Sequence, residues 1–400
     1  MRLFNDQEIF RRIEILVENL NRNGVDIAII HHNADLFYFT GTVQDGYLVV
    51  SSKGNVSLAV RRNLSRTVEQ TPIEPVLLMG SIKELVDVVR NTHRDMPSSI
   101  GISMDVLPTS FYLFLKDRIF PEATYVDISM TIRLQRAVKS DEEIRLMRDA
   151  ARISHAVYEA VPSILKDGMD EWDLCVNLEA VARKNGHLGF IRLRNPRLEM
   201  YFGHVLSGPE ATIPSYGDAP TGGKGISVAF AQGSTRKTIR CGELVSVDTM
   251  ICHHGYLNDQ TRNFSLGTPL DELLKAYELS LHLHKVFRQE ARPGAVSGDI
   301  YEMMVKMVQN SNLAPYFMGT DENRVSFIGH GLGIEVDEFP FIAHRQKMLL
   351  EKGMVVAVEP KFIIPGKGIA GIENTYLITE EGAESLNISP EEPGQSHEII

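Results

Sequence analysis

Apolar residues first fall into a helical register at Ile9, Phe10, Ile13, Leu16, Val17 and Leu20, with Asn5 and Glu8 placed as an N-terminal cap and Asn23-Gly24 as a stop. Short β-rich runs follow, DIAII, GYLVV, VSLAV and PVLLM, alternating with helical stretches such as SIKELVDVVRNTH. Residues 1–138 therefore read as a small α/β domain. Ser140 with Glu143 forms a capping box at the head of a long helical pattern, IRLMRDAARISHAVYEAVPSIL, and residues 139–400 read as a second domain. In it, helices from about 141 and from about 170 to Lys184 lead through a loop-rich passage to one apolar hairpin. Helices at about 270–291 and 298–310 lead through a glycine-rich loop to another. The order helix, helix, hairpin is thus used twice, as in a pseudo-two-fold domain, and the polar run SPEEPGQSHEII reads as a surface tail.

Both hairpins interrupt their apolar pattern with paired carboxylates. In LVSVDTMICHHGYLNDQTRNF, a fold about His253 and His254 places Asp248 directly opposite Asp259. In VVAVEPKFIIPGKGIAGIENTYLIT, a turn at Pro365, Gly366, Lys367 and Gly368 places Glu359 opposite Glu373. Opposed side chains are ~5 Å apart at Cβ, where two carboxylates repel by about 3 kcal/mol at an effective dielectric of 20. A buried pair needs a cation; for Asp248 the alternatives are a metal or a salt bridge to Arg262 or another base. His330, in FIGHGLGIEV between the two pairs, supplies an imidazole. Four carboxylates and one imidazole form a hard ligand set suited to manganese, iron(II), cobalt or zinc, and four negative charges balance two divalent ions. The glycine runs lack the pattern of a nucleotide loop: GLGIEV has no third glycine, and GGKG has Gly225 where a P-loop has Ser or Thr.

Composition narrows the function further. A net charge of -11 without a basic stripe argues against nucleic acid and anionic membrane as partners. Three scattered cysteines, Cys175, Cys241 and Cys252, fit reduced thiols in the cytoplasm, and no apolar run approaches a membrane span.

The strings VDTMICHHGYLNDQTRNF, GHGLGIEVDE, VEP and GIENT, in order across roughly 140–380, resemble the creatinase, aminopeptidase P and prolidase family. NADLFYFTG resembles that family's amino-terminal domain. The resemblance implies an α+β fold, a "pita-bread" catalytic domain behind a smaller α/β domain, usually as a homodimer with two divalent ions. It implies that Asp248 chelates one ion, that Asp259 and Glu373 bridge both, and that His330 and Glu359 bind the second. Glu359 would also be the general base, drawing a proton from a metal-bridging water whose hydroxide attacks a small amide such as an Xaa-Pro dipeptide.

Several positions depart from the family's pattern. Ser215 in IPSY and Asp337 in EVDE stand where peptide-cleaving members carry pocket histidines, and Ser326 stands where aminopeptidase P has another. Gly371 and Asn374 replace the arginine and aspartate of Arg-Ile-Glu-Asp. His204 is a candidate catalytic replacement, with His253, His254 and His344 as further ones; the competing reading of each is a packing or surface histidine. Ser215 and Asp337 become candidate substrate contacts. Asp337 with Glu338 could favour a cationic group, or be a solvated acidic pair, and DAPTGGKGISVAFAQGSTRK could cover a substrate or merely connect. Three functions follow: a dinuclear dipeptidase, a relative acting on another small nitrogen compound as C–N hydrolase or lyase, and a non-catalytic binding module.

Overall fold

The computed structural model describes residues 2–391, which form two compact units. The chain up to Arg136, with Arg194–Pro196, makes the first. Its helix α1 (Asp6–Arg22) starts where Asn5 accepts a hydrogen bond from the Glu8 amide and buries Ile9, Ile13, Leu16 and Leu20. Strands β1 (Ile27–Ile30), β2 (Gly46–Ser51), β3 (Val56–Val60), β4 (Val76–Leu78), β5 (Ser99–Ile102) and β6 (Thr124–Asp127) form a mixed sheet in the order β4-β3-β2-β1-β5-β6. Helices α2 (Asn33–Thr40), α3 (Leu64–Gln70), α4 (Leu85–His93), α5 (Thr109–Phe114) and α6 (Ser129–Ala137) fill the connections.

The second unit begins at Ala137. Helix α7 (Asp141–Ile164) opens on the expected reciprocal cap between Ser140 and Glu143, and α8 (Glu171–Lys184) opens on Asp170. Both pack Ala150, Val157, Leu174 and Leu178 against Val245, Val247 and Ile251 of a three-stranded sheet. That sheet has the order β7 (Gly203–Ser207), β8 (Leu244–His253), β9 (Tyr256–Ser265). Helices α9 (Asp271–Glu290) and α10 (Ser297–Gln309) share a core with the other sheet, through Leu283, Phe287, Met304, Val356 and Tyr376. Its strands are β10 (Phe327–Leu332), β11 (Val336–Ala343), β12 (Val355–Val358), β15 (Asn374–Thr379) and β16 (Gly382–Ser385), in the order β11-β10-β12-β15-β16. The ribbon β13 (Phe362–Ile364) and β14 (Gly368–Ala370) extends the β12/β15 pair. Helix, helix, sheet occurs twice, as the patterning implied, and the sheets meet where Thr261 bridges Glu373.

Three local expectations need correction. The first hairpin turns at His254-Gly255, both with positive φ, so Asp248 faces Thr261 and Asp259 faces Met250. The carboxylates are diagonal neighbours on one face rather than opposed, which still keeps them within reach of a shared cation. His330 lies inside β10, paired with Ala357, and not in a loop. Its flanking glycines serve close strand approach: a Cβ on Gly329 would stand 2.5 Å from the Ala357 carbonyl oxygen, and one on Gly331 2.3 Å from that of Phe339. The terminal run is no free tail at its start, because the Pro390 carbonyl accepts from Arg262 Nε and Glu391 Oε1 accepts from Asn374 Nδ2; its residues 392–400 lie outside the described residues. Among the described residues, no helix is long and apolar enough to cross a membrane.

Candidate metal centre

Strand alternation brings the acidic side chains together. Asp248 on β8, Asp259 on β9, Glu373 at the head of β15, Glu359 at the end of β12 and His330 on the neighbouring β10 all line one cavity of about 120 Å³. The second hairpin keeps the expected register, since Val358 pairs with Asn374 and Phe362 with Ala370. Glu359 and Glu373 occupy the break between those ladders, with the Glu359 amide donating to the Ile328 carbonyl. Gly371 has φ +139, and a Cβ there would meet the Pro360 carbonyl oxygen at 2.6 Å, so a side chain is excluded at this crossing.

Asp259, His330 and Glu373 are buried, and each offers a donor atom within 4.8 Å of the others. His330 Nε2 lies 3.8 Å from Asp259 Oδ2 and 4.0 Å from Glu373 Oε1. Its Nδ1 lies 3.2 Å from the Gly331 carbonyl oxygen, an acceptor only, so the assigned tautomer carries the proton on Nδ1 and turns the Nε2 lone pair to the carboxylates. Thr261 Oγ1 donates to Glu373 Oε2 at 2.9 Å, and Thr375 Oγ1 donates to the Asp259 carbonyl at 2.8 Å, fixing both acidic residues. These spacings and this donor set fit a divalent ion with oxygen and nitrogen ligands.

Lys361, absent from the candidates drawn from sequence, enters the same cluster. Its Nζ donates to Asp248 Oδ2 at 2.7 Å, Glu359 Oε2 at 2.8 Å and Glu373 Oε2 at 3.2 Å, and its side chain is 1% exposed. The sequence signal is its place two residues after Glu359, in the short break between β12 and β13. The basic partner of Asp248 is therefore Lys361 and not Arg262, which sits opposite Val247 and donates to Asn374 and to the carbonyls of Thr261, Glu373, Ser389 and Pro390.

The electrostatics divide the cluster in two. Burial raises the Asp248 pKa, but the Lys361 ammonium and His204 outweigh it and hold the carboxyl below its ordinary value. Asp259 is pushed well above the ordinary carboxylate range by burial and by Glu373, Asp248 and Glu359, which outweigh Lys361. Burial, aided by Glu373 and Asp248, raises Glu359 to about 7 against the pull of Lys361 and His330. Burial also lowers Lys361, yet Asp248, Glu359 and Glu373 together hold it well above its usual value. Asp259 is the carboxylate whose acidic neighbours most outweigh the positive charge near it.

The remaining candidates separate clearly. His204, on β7 opposite Asp248, points Nε2 at Thr221 Oγ1 (3.2 Å) and Asp248 Oδ2 (3.6 Å), and burial lowers its pKa. It lines the cavity with Ser215 and Asp337. Asp337 has φ +62 and a partly exposed carboxylate 3.8 Å from His330 Nδ1. Glu338 turns away, accepting from Lys139 Nζ and the Ile334 and Glu335 amides, so the two acids do not form one pocket. His253 contacts the Gly186 carbonyl, His254 forms the hairpin turn, and His344 pairs with Glu302. Ser326 engages His344 through its backbone. None of these four is among the cavity-lining residues. The glycine-rich passage borders the cavity through Asp218, Thr221 and Gln232 and is pinned by the Gly233 amide to the Gly222 carbonyl.

The chain is similar to known proteins along nearly its whole length. The sequence model of metallopeptidase family M24 matches residues 145–380, and that of the creatinase/prolidase N-terminal domain matches 12–138. An Xaa-Pro dipeptidase of Pyrococcus furiosus is 24% identical over 377 residues, covering 94% of this chain and 97% of its own. Among solved structures, the prolidase from Pyrococcus horikoshii OT3 superposes with a TM-score of 0.79 at 23% identity, covering 95% of this chain and 99% of its own. The Xaa-Pro dipeptidase from Bacillus anthracis gives 0.81 at 24% identity, covering 96% and 99%. A creatinase-type N-terminal domain, followed along the chain by a pita-bread domain, is thereby established.

Proposed function

The chain belongs to metallopeptidase family M24, and from that premise we propose that it is a divalent-metal-dependent dipeptidase acting on Xaa-Pro or similarly small amides. One observation carries the reading: Asp259, His330 and Glu373 converge, buried, beside Glu359 on a small cavity. Asp259, His330, Glu373 and Glu359 would hold the ion, whether manganese, cobalt, zinc or iron(II). When bound, a divalent ion lowers the pKa of water and polarises a carbonyl.

The chain's own residues supply the proton handling. Lys361 holds Glu359 Oε2, which leaves Oε1 to accept a proton from the attacking water and pass it to the leaving nitrogen. His204, neutral through burial, would donate from Nε2 to the oxygen on which charge develops. Asp337 would meet the free ammonium of a dipeptide, and Ser215 would offer a hydroxyl within the same wall. A cytoplasmic location accords with three free cysteines. Assembly as a homodimer follows from the family resemblance and is read by light scattering.

The test is mass-spectrometric turnover of an Xaa-Pro-rich dipeptide panel by metal-loaded protein, beside Glu359→Gln. Turnover that falls roughly 10²–10⁴-fold in the variant supports the assignment. Failure of the loaded wild-type protein to cleave any dipeptide would sink it and favour C–N hydrolysis or a lyase reaction on another small nitrogen compound. That second reading draws on Ser215 and Asp337, which line the cavity where peptide-cleaving members carry imidazoles.

A further inference from the structure

The carboxylates of the cluster divide their oxygens between two positions. Asp248 Oδ2, Glu359 Oε2 and Glu373 Oε2 converge on Lys361 Nζ at 2.7, 2.8 and 3.2 Å. Asp259 Oδ2 and Glu373 Oε1 converge instead on the side of His330 Nε2, at 3.8 and 4.0 Å from it. Each position has the coordination of a cation site, and the first is filled by a lysine ammonium. We propose that Lys361 is a built-in cation standing in for one of the two metals, so that this chain binds a single divalent ion, held by Asp259, His330, Glu373 and Glu359, while Asp248 serves to seat the lysine. The inference rests on reading the cluster as a metal centre.

The lysine is fixed at both ends. Its backbone is tied to Met318 in both directions: the Lys361 amide donates to Met318 Sδ at 3.4 Å, and its carbonyl accepts from the Met318 amide at 2.9 Å. Its side chain is 1% exposed and runs directly into the cluster from the residue after Pro360. A divalent ion on Asp248 would stand within a few ångströms of an ammonium that has no aqueous refuge, and like charges at that separation exclude each other. Glu373 separates the two positions, with Oε2 3.2 Å from Lys361 Nζ and Oε1 4.0 Å from His330 Nε2.

Metal counting tests the assignment without reference to turnover. Full-length protein stripped with chelator is dialysed against manganese(II), and bound metal is measured by inductively coupled plasma mass spectrometry. One equivalent per chain is expected for wild type, none for His330→Ala, and still one for Asp248→Asn. Lys361→Met is expected to take up two equivalents and to change the manganese electron paramagnetic resonance from an isolated six-line pattern to an exchange-coupled one. Two equivalents or none in the wild type, or loss of the metal from Asp248→Asn, would overturn the proposal. Asp248→Asn keeps the inference falsifiable if Lys361→Met fails to fold. A protein that binds one ion but cleaves no dipeptide would leave the inference standing and remove only the proposed substrate.

Discussion

His284 on α9 makes a pH-dependent contribution to stability whose sign and size follow from its surroundings. The ring is 1% exposed, with Nε2 3.0 Å from the Ile372 carbonyl oxygen and Nδ1 3.0 Å from the Tyr376 hydroxyl. A carbonyl only accepts, so Nε2 carries the proton and Nδ1 accepts from the tyrosine; the neutral ring satisfies both contacts. Burial lowers its pKa from 6.5 to about 4, with the Ile372 carbonyl and Glu391 pulling upward and Arg288 and Arg262 pushing down. Since the folded value is the depressed one, the unfolded chain binds more protons between 6.5 and 4. The contribution is complete above the unfolded pKa and is lost as the pH falls through that window. Integrated from pH 7 to pH 4.5, the loss is about 2 kcal/mol. His284→Gln retains an amide donor and a carbonyl acceptor but does not titrate. Trp172, the one tryptophan of the chain, sits on α8 in the same unit, so its fluorescence in urea reports the relevant unfolding. Wild type should lose about 2 kcal/mol more than His284→Gln between the two pH values. Parallel losses in the two proteins would refute the reasoning.

Gly371→Ala places a Cβ 2.6 Å from the Pro360 carbonyl oxygen at φ +139 and should lower the urea-derived stability by roughly 1–3 kcal/mol; an unchanged midpoint would show that the crossing can relax. His204→Gln should reduce kcat by about 10²-fold with metal content intact, and loss of the metal instead would make His204 a ligand. Asp337→Asn should raise KM for dipeptides with a free amino terminus while leaving kcat close to wild type, and an unaltered KM would remove it from substrate recognition.

Legibility in the sequence followed the physical strength of each signal. Val355 to Val358 pair with Asn374 to Leu377 in the anticipated register because a continuous apolar run meets a turn cluster at Pro365–Gly368 that admits one fold point. The first hairpin pairs two residues away from the expected register because its tip is His254-Gly255, the dipeptide with the backbone freedom for a tight turn, and not His253-His254. A slip of two preserves the face, so the carboxylates still converged; a slip of one would have sent Asp259 to the opposite side. His330 reads as a loop residue because glycine marks both turns and close strand contacts, and only the carbonyls of Ala357 and Phe339 on the neighbouring strands distinguish them.

Lys361 changes the charge count of the centre. Counting carboxylates along the chain gives four negative charges, which two divalent ions neutralise; counting them in space adds an ammonium that touches three of the four. The position of that charge matters more than its sum. Asp248 is held below its ordinary pKa by Lys361 and His204, whereas Asp259, one strand away on the same face, is driven far above it by its acidic neighbours. Two carboxylates that look equivalent in the sequence thus have opposite needs. Glu359 stands at the junction, with one oxygen committed to the lysine and its pKa raised to about 7, close to where a general base works best at neutral pH. A buried lysine two residues on, in the same break between β12 and β13, therefore orients the proposed base as well as occupying a cation position, and a substitution that removed its charge would alter both the metal count and the proton transfer.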